Sequence, residues 1–97
     1  MNYVLKPSCF FLKQLEDLSP SALDIVKKKL LLLKINPFRF KRINGYTLFL
    51  FRIRFADERK AKRLVYVVDK QYVKILCVLD RDKGYKDLEK YLKKHGY

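Results

Sequence analysis

Histidine is nearly missing from this chain: His95 is the only one, and it sits close to a terminus of the kind that frays. That scarcity closes several routes to catalysis. A Ser-His-Asp or Cys-His nucleophile needs an oriented imidazole, and a zinc site needs more ligands than one histidine and two distant cysteines supply. Cys9 and Cys77 have no CxxC spacing, and two cysteines make no disulfide framework; both are expected as reduced thiols on packed elements. The three glycines are scattered, so no glycine-rich loop is present to cradle phosphates. No apolar run reaches the length of a membrane span. Met1 to Lys13 also lacks the charged start and long apolar run of a signal peptide. The resulting expectations are a cytoplasmic location, no metal, no small-molecule cofactor and no membrane partner.

Acidic residues are scarce as well. Ten Asp and Glu face 23 Lys and Arg, for a formal charge of +13 on 97 residues. The excess is concentrated in the middle. Between Arg39 and Arg63 lie nine Lys or Arg against two acids, Asp57 and Glu58, a net of +7; each flank carries +3. A cationic middle suits a polyanionic partner: nucleic acid first, an acidic protein second, a membrane surface third. The hydrophobic share of 49% fits a folded chain, and the length fits one domain spanning 1–97.

Taken in order, Asn2 to Lys6 reads as a short strand. Ser8 caps a helix reaching about Leu18, with Phe11, Leu15 and Leu18 on one face. Ser19-Pro20 restarts a second helix, which runs to about Ile35 and buries Leu23, Val26, Leu30 and Leu33 before Asn36-Pro37 ends it. Phe38 to Gly45 is a basic, irregular connector. Strands are predicted at about 46–55, 63–69 and 72–79, the first two joined by a charged loop from Ala56 to Lys62 and the last two by a tight turn at Lys70-Gln71. Tyr85 opens a final helix with Leu88, Tyr91 and Leu92 inward. The fold class is α+β: an antiparallel sheet, an N-terminal helical hairpin packed on one face, and a short C-terminal helix.

The informative stretch is the apolar strand Leu64 to Val68 with Arg63 at its entrance. A guanidinium keeps its charge, so beside a packed strand it must face water, a carboxylate or a phosphate. On the preceding strand Arg52 and Arg54 share one face, while Phe49, Phe51, Ile53 and Phe55 share the other. If the two strands pair, three arginines meet at one end of a sheet. Phosphoryl chemistry can run on positioning and charge alone, and RNA brings its own 2′-hydroxyl nucleophile. Tyr85, four residues after Arg81 with Lys83 between, is either a proton acceptor set among cations or a packing residue in front of the last helix. Arg52 and Arg54 likewise read as a phosphate site or as a solvated sheet end.

These segments, in this order, resemble the RelE/ParE superfamily of small toxins from bacterial and archaeal toxin–antitoxin pairs. The pieces are the helix Phe10 to Leu18, the Asn36-Pro37 stop, the Lys41-Arg-Ile-Asn-Gly45 connector, and Arg63-Leu-Val-Tyr66 followed by a strand, Arg81 and Tyr85. The resemblance implies a microbial-RNase-like fold in which helices cover one sheet face and the other face holds the site. In RelE-type members that site cuts mRNA in the ribosomal A site. Carried over by position, it assigns Arg63 to the charged phosphate, Arg81 to the leaving 5′-oxygen and Tyr85 to the 2′-hydroxyl proton. Arg52, Arg54, Lys41, Arg42, Lys62 and Lys83 would then contact RNA. The expected partners are mRNA, the ribosome and a cognate antitoxin with an acidic, partly helical segment. The arginines at 52 and 54 stand where RelE itself has lysines, which makes a proton-shuttling role there doubtful. Two other readings remain: a ParE-like gyrase inhibitor or inactive relative, and a non-enzymatic basic nucleic-acid-binding module.

Overall fold

A computed structural model of the chain describes residues 2–81 and 85–97. Its elements are β1 (Val4–Pro7), α1 (Cys9–Leu15), α2 (Pro20–Ile35), β2 (Lys41–Arg42), β3 (Leu50–Asp57), β4 (Lys60–Asp69), β5 (Tyr72–Asp80) and α3 (Lys86–Lys94). The five strands form one sheet in the order β1-β5-β4-β3-β2. Strands β2 to β5 pair antiparallel, as the short links between them predict. Strand β1, for which the sequence offered no partner, lies parallel to β5, with Val4 across from Tyr72.

Local chemistry accounts for the helix starts. The Ser8 hydroxyl accepts the Phe11 N–H and the Ser19 hydroxyl accepts the Ala22 N–H, each filling a helix-end donor that has no intrahelical partner. Pro20 occupies the first position of α2, where no N–H is needed. The Asp57 carboxylate also accepts the Ser19 N–H, tying the start of α2 to the far end of β3.

Alternation along the strands divides the core in two. Phe51, Ile53, Phe55, Leu64, Tyr66 and Val68 pack against Phe11, Val26 and Leu33 of the helical hairpin. Leu50, Val65 and Val67 face the other way and pack against Leu88, Tyr91 and Leu92 of α3. The second sheet face is therefore partly roofed by α3, leaving only its outer portion for a site. A bulge in β5 serves both layers. Val65 pairs with Cys77 and Tyr66 with Ile75, so Leu76 is the extra residue and joins Cys77 on the α3 side. Burial, with the Asp87 charge second, pushes the Cys77 thiol up to about 12. Cys9 departs from expectation: it is exposed at the start of α1, because the helix turns it away from the sheet.

Strand β1 ends at Pro7, and past that point α1 closes the edge of β5 with side chains. Ser8 donates to the Leu76 carbonyl at 2.7 Å. The Gln14 amide donates to the Val78 carbonyl at 2.8 Å and accepts the Val78 N–H at 2.6 Å, as a neighbouring strand would. Gln14→Ala leaves both backbone groups without this partner in a half-buried place. Urea unfolding should show a loss of about 1–3 kcal/mol.

The segment Ala56 to Lys62 is not a loop. Strands β3 and β4 continue through it, pairing Ala56 with Ala61 and Asp57 with Lys60, and only Glu58 and Arg59 turn. With no glycine available, Glu58 itself takes a left-handed φ of 57°. The connector predicted as irregular contributes the two-residue β2, and the strand predicted from residue 46 begins at Leu50, leaving Phe49 exposed.

Candidate active site

The cationic face follows from β3 and β4. With Phe51, Ile53 and Phe55 committed to the helical hairpin, Arg52 and Arg54 must point to the opposite face. The register sets Arg54 directly across from Arg63, and Lys41 of β2 directly across from Arg52. Like charges in opposed positions repel, so this face holds two adjacent unfavourable pairs. None of the three ion pairs found among the described residues involves any of the four.

Tyr85 approaches from the side as the cap residue of α3. Its side chain makes no capping bond and turns towards β3. The phenolic oxygen accepts a hydrogen bond from an Arg52 terminal N–H at 2.8 Å. The Arg63 guanidinium lies over the ring, 4.9 Å from its centre. The Arg63 Nε–H is buried and has no hydrogen-bond partner among the described residues. Two arginines from different strands thus bracket one tyrosine.

The remaining sequence-derived candidates fall at different distances from this centre. Arg81 is exposed, one residue past β5 and two past Leu79, the register partner of Arg63, so it stands at the same end of the sheet. The Arg42 guanidinium rests over the exposed Phe49 ring at 4.5 Å, and Arg42 lines the same groove as Arg52 and Tyr85. Lys62 is not brought to the group. It lies across from Phe55, on the helical-hairpin side, and its ammonium is 2.8 Å from Asp80. Lys83 lies outside the described residues.

The groove holds about 440 Å³ between the connector after β2 and the first turns of α3. Two of its walls escaped the sequence reading, Tyr46 and Glu89. Burial, then the Glu89 charge, holds the Tyr46 phenol above the usual tyrosine range. Glu89 follows Tyr85 by four residues, the spacing that puts two helical side chains on one face, and that was the available signal. A second hollow of about 410 Å³ opens between α1 and α3 around Phe10, Tyr91 and His95. Its carboxylates and lysines alternate, so it carries no field of one sign, and it lies away from the arginines. His95 stacks on Tyr91 at 4.2 Å. Among the described residues no group of three or more His, Cys, Asp or Glu is placed to hold a metal ion, and no helix is long and apolar enough to cross a membrane.

The sequence matches no model of a known protein family and no curated protein. Solved structures do resemble it. A doubly substituted E. coli toxin RelE in the free state aligns over 100% of both chains at 21% identity with a TM-score of 0.78. The RelBE2 toxin–antitoxin complex from Mycobacterium tuberculosis aligns over 84% of this chain and 100% of that one, at 25% identity and a TM-score of 0.68. The archaeal RelE–RelB complex from Pyrococcus horikoshii aligns over 87% and 100%, at 21% identity and 0.65. The mixed five-stranded sheet with its three helices has the RelE toxin fold.

Proposed function

We propose that this chain is the toxin of a toxin–antitoxin pair and acts as a metal-independent, ribosome-dependent endoribonuclease that cuts mRNA in the A site. The observation that carries this reading is the placement of Tyr85, its oxygen bonded by Arg52 and its ring covered by Arg63, on a face where arginines oppose one another. Two cations around the phenol put positive potential where a phenolate charge would sit. The 2′-hydroxyl of the substrate attacks the adjacent phosphorus as its proton passes to Tyr85 in its phenolate form. The bond to the 5′-oxygen breaks, that oxygen takes a proton from water, and a 2′,3′-cyclic phosphate is left. Arg63 holds the charge that accumulates on phosphorus, and Arg81 steadies the departing 5′-oxygen. Arg52, Arg54, Lys41 and Arg42 hold the flanking backbone.

Binding of an antitoxin follows from the same field. An acidic, partly helical segment laid over the arginine face would neutralise it and block the site. The RelE–RelB and RelBE complexes of the same fold support such a partner.

The reading is tested by primer extension on a defined mRNA paused on ribosomes. Cleavage inside the A-site codon is the expected result. Intact mRNA, together with inhibition of gyrase supercoiling, would move the chain to the ParE-like reading. Salt-sensitive RNA binding with neither activity would leave a binding module.

A further inference from the structure

The groove beside Arg52 and Tyr85 has a feature that a phosphate-binding face does not explain. Glu89 is the one carboxylate among its described lining residues. A negative charge on the path of a polyanion repels it, by about 1 kcal/mol at 4 Å in water and more near a protein surface. Glu89 lies near enough to Tyr46 for its charge to act on the phenol, and both line the groove. The same two residues also wall a second hollow of about 290 Å³, completed by Thr47, Leu48, Leu92, Lys93 and the exposed Tyr97. The two hollows adjoin across the Tyr46–Glu89 pair and lead from the arginine centre along α3 towards the C-terminus.

We propose that this double groove seats an unstacked nucleobase of the bound RNA, the one next to the scissile phosphate, against the Tyr46 ring. The proposal rests on the RNA reading above. Charge sorts the nucleotide. Phosphates go to Arg52, Arg54 and Arg63; Glu89 repels them at the entrance to the adjoining stretch, where Tyr46, Leu48 and Leu92 offer a surface suited to a flat group and Lys93 is the one cation among the lining residues. Stacking on an aromatic ring tolerates any base, because every base has a π-face. A Glu89 oxygen is there to accept an N–H, and every RNA base carries one. Tyr46 is therefore a positioning residue: it fixes the base, and through it the angle at which the 2′-oxygen meets phosphorus.

The test is an NMR titration of the full chain with 2′-O-methyl RNA trinucleotides, which lack the nucleophile and cannot be cut, either intact or with one abasic position. In the wild type, removal of one particular base should weaken binding about tenfold. Tyr46→Phe should keep that difference. Tyr46→Leu, which preserves apolar bulk, should erase it. Glu89→Gln should tighten binding of both ligands and steepen its salt dependence. Equal binding of intact and abasic ligands by the wild type would overturn the proposal, as would no measurable binding. A full abasic penalty in Tyr46→Leu with a wild-type melting temperature would do the same. Failure of cleavage on ribosomes alongside a clear abasic penalty would instead remove the nuclease reading and leave the base seat standing.

Discussion

Tyr85→Phe should lower the single-turnover rate of mRNA cleavage by about 10²–10⁴-fold, the range that a positioned general base contributes. The substitution separates the two readings of this residue. A phenylalanine keeps the ring that lies under the Arg63 guanidinium and fills the space ahead of α3, so packing survives. Only the oxygen that accepts from Arg52 is lost, together with about 1 kcal/mol from that hydrogen bond. The melting temperature should therefore drop by a few degrees at most while activity collapses. A variant that cuts within about threefold of wild type would return Tyr85 to a packing role.

Arg63→Ala should cost about 10²–10³-fold in the same assay, as expected for removing one charge-stabilising donor from a preorganised site. Here the stability outcome is the sharper discriminator. Arg63 stands directly opposite Arg54 and holds a buried Nε–H with no partner among the described residues. Truncation removes a repulsion and an unsatisfied donor, which offset the lost contact with the Tyr85 ring. The variant should melt close to wild type. Arg63→Lys restores the charge without the planar fork and should recover only part of the rate. Full activity in Arg63→Ala would end the assignment of charge stabilisation to this residue.

Much of the fold was legible because its signals are local. Ser19-Pro20 and Asn36 bound α2 as capping chemistry demands, and the Phe51-Ile53-Phe55 alternation announced which face of β3 is buried. The meeting of Arg52, Arg54 and Arg63 followed from that alternation plus one pairing assumption, and the register bears it out. What remained hidden depends on distant partners. A four-residue strand such as β1 carries no periodicity that distinguishes parallel from antiparallel pairing. Gln14 looks like an ordinary surface residue of α1 until β5 is beside it. The hairpin at Glu58 was obscured by its own composition, since charge without glycine or proline resembles a loop. The amphipathic pattern of α3 revealed a buried side but could not say against which face of the sheet, and with that the Tyr46–Glu89 pair stayed out of reach. Lys62 was misleading for the same reason as Cys9: sequence proximity to a site says nothing about which side of an element a residue takes.

The opposed cations on β3 and its neighbours tie this protein's durability to its occupancy. Arg54 against Arg63 and Lys41 against Arg52 weaken the empty sheet, and any polyanion laid across them relieves that strain. A ligand that binds only the folded chain adds about 2.7 kcal/mol of stability at a hundredfold excess over its Kd, a large fraction of what holds a small domain together. On the proposed reading, the chain with its face covered is more stable than the same chain alone.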